Sequence, residues 1–307
     1  MTEERHSPQV EEPIRYMERT RAYYLALGYD NPYRWAHFDA TPFSRLKKPL
    51  SEATVAIVTT AAPFNPDCGE QGPGAPYNAA AKFYKVYEGS TTVMPDLRIS
   101  HIAIDRDHTT AEDIGTYFPL EALRKAEKEG RIGNVADLFF GLPTNRSHRT
   151  SLEVDSPDLV ARVKSYAIDA AVLLPNCPVC HQSVALAARA LEDAGISTVI
   201  MGCARDIVEH VGAPRFLFSD FPLGNSAGQP GDKISQQDTM ALALDLLEQA
   251  EAPRTTWASP QVWKGKKGWK SDYSNPDRLM PEEIKARRQA FDKGKAEAAS
   301  LRQQDKT

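Results

Sequence analysis

The chain has 307 residues, 41% hydrophobic and 25% charged, with a formal net charge of −4 and a pI of about 6.0. Such a composition excludes a disordered polar chain, and its mild acidity argues against binding nucleic acid through a basic surface. No run reaches the roughly 18 apolar residues that span a bilayer, and "MTEERHSPQVEEPIRYMERT" lacks the apolar centre of a signal peptide. The expected compartment is therefore the cytoplasm, with no membrane contact.

Residues 9–28 read as a helix entered through Pro13 and ended by Gly28. An irregular stretch rich in proline and aromatic residues follows to about residue 50. Val55 to Thr59, β-branched and bounded by turn residues, predicts a buried strand. "PFNPDCGEQGPGAPYN" is a loop holding Cys68. Residues 97–105 predict a second strand, and 119–133 a helix stopping at Gly130. After that the pattern alternates: helix 156–168, strand 169–175, helix 178–194, strand 197–203, helix 204–212, strand 215–221 and helix 235–249. Strands alternating with helices mean an α/β protein with a parallel β-sheet flanked by helices. Two similar Rossmann-like lobes, 51–150 and 151–250, fit the pattern. They would lie between an N-terminal helix and arm (1–50) and a Trp/Lys-rich C-terminal arm and helix (251–307). In that last stretch Trp257, Trp263 and Trp269 suit anchors that pack a wrapping arm.

Two of the four cysteines lie three apart in "AAVLLPNCPVCHQSVALAARALEDAG" (170–195). A parallel sheet binds ligands beyond the carboxyl ends of its strands, which is where Cys177 falls. Pro178 suits a first helical position, and Val184, Ala188 and Leu191 give the helix an apolar stripe. Cys177 is thus expected at a helix N-terminus, with Cys180 in the first turn, where free N–H groups and the dipole stabilise a thiolate. In a reducing compartment a close cysteine pair points to redox, catalytic or metal chemistry. Cys177 is read as the nucleophile and Cys180 as the resolving thiol. His181 either stabilises the thiolate or faces solvent. A metal site drawing on Cys177, Cys180, His181 and Cys203 is a rival, weakened by the lack of a second separated ligand pair.

Cys203 ends the next strand and either shares the edge with Cys177 or is a small buried hydrophobe. His108, near Asp105 and Asp107, is a candidate proton donor, whereas His101 reads as a satisfied core side chain. Candidate substrate contacts are Gly224 and Asn225 in "FPLGNSAGQPGDKIS", whose backbone N–H groups suit a carboxylate, together with Cys68 and Arg146. Neither a phosphate-binding P-loop nor a dinucleotide fingerprint is present.

Several stretches resemble one known family: "RTRAYYLALGY" and "NPYRWAH" (19–37), "KPLSEATVAIVTTAA" (48–62), "SHIAID" (100–105), "FPLEALRKAEKEGRIGNVA" (118–136), the CPVCH junction and "PRFLFSDFPLGNSAGQPGD" (214–232). Over about residues 15–250 the chain resembles the selenoprotein B-type subunits of glycine, sarcosine, betaine and D-proline reductases, and looks closest to the D-proline reductase branch. The resemblance implies that Cys177 stands where the family typically has selenocysteine, with Cys180 resolving. It also implies an oxidoreductase that reductively cleaves a carbon–heteroatom bond in a small amino acid or amine. A pyruvoyl group on a partner reductase subunit would activate the substrate amine, and a homo-oligomer is the expected assembly. The alternative from the residues themselves is a desulfurase acting on a small thiocarbonyl heterocycle, with Cys177 attacking the C=S carbon.

Overall fold

The structure, a computed structural model, describes residues 12–304 except 32, 100 and 102, and of residues 297, 298 and 301–304 the backbone only. In chain order its elements are α1 (Tyr16–Ala26), β1 (Thr54–Thr59), β2 (Ala62–Pro63), β3 (Tyr87–Ser90), β4 (Leu97–Arg98), α2 (Leu120–Lys128), β5 (Asn134–Val135) and β6 (Leu138–Gly141). Next come α3 (His148–Thr150), which runs through a π turn (Ser151–Asp155) into α4 (Ser156–Ser165), then β7 (Ala170–Leu174), α5 (Pro178–Asp193), β8 (Ser197–Gly202), α6 (Arg205–Val211), β9 (Arg215–Phe218), α7 (Lys233–Gln249), β10 (Thr255–Ala258) and α8 (Pro281–Gln304). Residues 9–11 of the expected first helix lie outside the described residues.

The main sheet has the order β10-β9-β8-β7-β1-β6-β3, with β5 also pairing β1, and is parallel except where β3 runs against β6. β1 pairs in register with β7, Val55 opposite Ala170, so strands from both halves of the chain join one sheet. The chain leaves β1 for β6 on one side and returns to β7 on the other. The C-terminal ends of β1 and β7 therefore flank the topological switch point, where open α/β sheets bind their ligands.

β7, β8 and β9 are buried along their whole length because helices cover both faces. Alternate side chains feed two cores. Val55, Ile57, Val172, Val199 and Met201 pack with α2 and α7, while Ala56, Val58, Leu173 and Ile200 pack with α4, α5 and α6. At the sheet's N-terminal side, buried Glu192 accepts from Arg215 Nη1 at 2.7 Å and from the Thr198 amide at 2.6 Å. Arg215 also holds the Ser44 carbonyl at 2.8 Å and lies 4.1 Å from the Phe43 ring centre, which pins the N-terminal arm. The tryptophan arm packs on the body as expected. Trp257 lies in β10, Trp263 meets Phe221 at 5.5 Å, and Trp269 is buried with Tyr16 and Tyr273. Among the described residues no helix is long and apolar enough to cross a membrane.

Candidate active site

The turn after β7 is fixed before any chemistry is considered. Thr60, just past β1, accepts through Oγ1 from the Asn176 backbone amide at 3.1 Å and from its side-chain amide at 3.0 Å. From the far side, Ser226 Oγ donates to the Pro175 carbonyl at 2.8 Å. Cys177 then caps α5: its backbone is extended, Pro178 takes the first helical position, and its Sγ accepts from the Cys180 amide at 3.2 Å. This is the helix N-terminus expected from the sequence. Cys177 is 4% exposed and Cys180 fully buried.

Two residues from the other side of the switch point complete the cluster. Thr144, in the loop after β6, has its Oγ1 3.2 Å from Cys180 Sγ and 3.3 Å from His101 Nε2. One ligand-type atom from each of His101, Cys177 and Cys180 lies within 4.8 Å of the others. His101 is 7% exposed and its Nδ1 has no hydrogen-bond partner, so it is not the satisfied core side chain that the sequence suggested. The predicted strand 97–105 ends at Arg98 instead, and the chain then turns inward to deliver His101.

The two sulfurs share a proton unequally. Burial raises Cys177, and its S–H interaction with an ionised Cys180 raises it further. Burial also opposes ionisation of Cys180, but the Cys177 thiol, the His101 imidazole and the Thr144 hydroxyl outweigh it and hold that thiol well below the ordinary value. The N-cap sulfur is thus the one pushed up, and Cys180 the one pushed down. A single amide at 3.2 Å stabilises Cys177 less than three polar side chains stabilise Cys180.

The other sequence candidates are distributed differently. His181 is fully buried and pushed down to about 4 by desolvation. Its Nδ1 donates to the Cys177 carbonyl at 2.8 Å, and its Nε2 accepts from the amides of Cys203 (2.9 Å) and Ala204 (3.1 Å). The ring neither faces solvent nor carries charge; it laces the β7–α5 turn to the β8–α6 turn. Gly202 makes room for it, since a Cβ there would stand 2.9 Å from the ring. Cys203 lies on the same sheet edge but packs with Tyr16, Ile207 and Phe221, its thiol raised to about 12 by burial. It takes the buried-hydrophobe alternative.

His108 is bracketed by carboxylates, Asp105 at 2.9 Å from Nδ1 and Asp272 at 3.2 Å from Nε2. The ring thus ties the 105–108 turn to the C-terminal arm. Gly224, at φ +107, would carry a Cβ 2.9 Å from Ile104 and Thr109, and Asn225 Nδ2 donates to Thr109 Oγ1 at 2.7 Å. Both brace that same turn. The amides of Ala227, Gly228, Gln229 and Gly231 in this loop are already bonded within the protein. Cys68, half-buried in its own loop, is outside the His101–Cys177–Cys180 cluster. Exposed Arg146 hydrogen-bonds Tyr24 at 2.8 Å and lies over the Tyr24 and Phe291 rings. With Asn31, Tyr33, Arg34 and His148 it lines an open cavity of about 360 Å³. Tyr33 joins that cavity to α5 by accepting from Gln182 Nε2 at 2.6 Å.

Fold and cluster together define a doubly wound α/β protein carrying a cysteine pair at its topological switch point. No family model and no solved structure matches the chain. Among curated proteins it is 29% identical over 204 residues to the D-proline reductase gamma subunit of Acetoanaerobium sticklandii, covering 66% of this chain and 80% of that one. It is 28% identical over 233 residues to the glycine reductase complex component B gamma subunit of Carboxydothermus hydrogenoformans, and 26% identical over 213 residues to the betaine reductase complex component B beta subunit of Peptoclostridium acidaminophilum. These alignments cover 73% and 65% of this chain, and 51% and 46% of those subunits. The chain is thus similar to subunits of D-proline, glycine and betaine reductases.

Proposed function

We propose that this chain is the thiol-bearing component of a reductase complex and that Cys177 and Cys180 deliver two electrons to a small amino-acid or amine substrate. The observation that carries this reading is a buried sulfur pair set at the switch point beside His101 and Thr144. Cys177 is the slightly exposed sulfur and reacts with substrate; Cys180 takes its proton and then resolves. The carbon–heteroatom bond breaks, the substrate gains two electrons from the sulfurs and two protons, one from the thiol and one from solvent, as new C–H and heteroatom–H bonds, and the sulfurs close to a Cys177–Cys180 disulfide. An external dithiol donor reopens it. The kinship to subunits of multicomponent reductases supports a partner subunit that presents the substrate.

The reduced protein, supplied with its partner subunit and a dithiol donor, is assayed on D-proline, glycine, sarcosine and betaine. Turnover on one of them should vanish in Cys177→Ser while the thermal midpoint holds. Full activity in that variant, or sulfide release from a thiocarbonyl compound without any reductant, would overturn the assignment.

A further inference from the structure

The sulfur pair has a third member that two-electron thiol chemistry does not require. His101 enters the cluster from the opposite side of the switch point, and its Nδ1 is buried without a partner. Thr144 explains why that nitrogen is bare. Its Oγ1 lies 3.3 Å from His101 Nε2, so the hydrogen bond there engages that nitrogen and not Nδ1.

We propose that His101, Cys177 and Cys180 bind one thiophilic divalent ion of the zinc class, with the fourth coordination position open to water or a small ligand, and that the ion withholds both sulfurs from reaction. The binding stands on this cluster alone; the withholding rests on the reductase reading. Tetrahedral zinc with ordinary Zn–S and Zn–N bonds sets its ligand atoms about 3.6–3.8 Å apart. The three atoms here lie within 4.8 Å of one another, so rotation of the side chains closes the set without moving the strands. Two thiolates, a neutral imidazole and a divalent cation sum to zero charge, which removes the cost of a buried anion. The imidazole's second nitrogen is hydrogen-bonded to Thr144, and each sulfur already accepts one donor, the arrangement that orients ligands around a metal. Thiolate and imidazole without carboxylate disfavour magnesium and calcium. Binding expels the Cys177 thiol proton to solvent, so affinity falls as the pH is lowered.

The experiment uses the full chain, reduced and stripped with chelator. Anaerobic titration with Co²⁺ should give one ion per chain with sulfur-to-metal charge-transfer bands and intense tetrahedral bands, displaced by Zn²⁺. Zn²⁺ loading should slow iodoacetamide alkylation at least about tenfold, and His101→Ala should weaken binding at least about tenfold. A weak octahedral Co²⁺ spectrum of the unmodified chain overturns the proposal, as does equal affinity in Cys177→Ser, Cys180→Ser and His101→Ala variants of normal thermal midpoint. Turnover of the stripped protein is read in the same series. Turnover without metal binding sinks this site alone; tight binding without turnover sinks the reductase reading alone.

Discussion

The β7–α5 and β8–α6 junctions lie side by side on one sheet edge, and each places a cysteine just past its strand, yet the two sulfurs live in opposite environments. Cys177 caps a 16-residue helix, accepts the Cys180 amide and pairs with a thiol whose pKa is pushed down by its polar neighbours. Cys203 precedes a seven-residue helix without a side-chain cap, sits in an apolar cluster with Tyr16 and Phe221, and is raised to about 12. The difference is lateral. Only the β7 junction borders β1, so only it is reached by Thr144 and His101 from the loops on the β6 side. The switch point thus surrounds the β7 cysteines with polar groups from the second wing of the sheet and leaves Cys203 among apolar ones.

The sharpest break of this comparison is to delete each sulfur in turn. Cys177→Ser and Cys180→Ser should each lower turnover by ~10³-fold or more, since removing a nucleophile or its partner abolishes a covalent route. Cys203→Ala should leave turnover within about threefold and cost roughly 1–2 kcal/mol of stability through the cavity it opens. Equal losses in all three, measured as kcat/KM beside denaturant midpoints, would erase the distinction.

His181 is the strut between the two junctions, and its removal is the next largest effect. His181→Ala leaves the Cys203 and Ala204 amides buried and unpaired, at about 1–3 kcal/mol each before relaxation, so a loss of about 2–4 kcal/mol is expected in denaturant unfolding. The same ring predicts a pH dependence. Its folded value of about 4 lies below the ordinary 6.5; the unfolded chain therefore binds the extra proton first. Stability is full above about pH 6.5 and falls by up to about 3 kcal/mol as the pH drops to 4. His181→Gln should flatten that slope. An unchanged slope would show that the ring is charged in the folded state.

How far these features were legible in the sequence follows from how local they are. The strands at 54–59, 170–174, 197–202 and 215–218 and the helices between them are continuous apolar runs and amphipathic stripes, so periodicity placed them within a few residues. The cap at Cys177 was legible for the same reason. β3, β6 and β10 were not: they are four residues each, and β3 and β10 are half exposed strands stabilised by pairing partners distant in sequence. His101 and Thr144 carried no motif, because what brings them to Cys180 is the sheet order that folds two loops onto it. His181, adjacent to the motif, was named for the wrong task; helical geometry turns its ring back over the preceding carbonyl and the next strand's amides.

The smallest effect tests the comparison most finely, because both sulfurs face a hydroxyl. Ser226 Oγ stands 3.8 Å from Cys203 Sγ, and Thr144 Oγ1 stands 3.2 Å from Cys180 Sγ. Ser226 directs its proton to the Pro175 carbonyl and so gives Cys203 little, whereas the Thr144 proton is free for the Cys180 thiolate. Thr144→Val keeps the shape and deletes that donor. The cysteine pair should then titrate higher, read from thiolate absorbance or from the pH profile of alkylation in a Cys68→Ser, Cys203→Ala background. Stability should change by less than about 1 kcal/mol, because the lost bond is to a charged group that the Cys177 thiol and His101 still solvate. An unmoved titration would mean that the Cys177 thiol and His101 alone hold the charge, and that the β6 loop contributes shape to the site but no electrostatics.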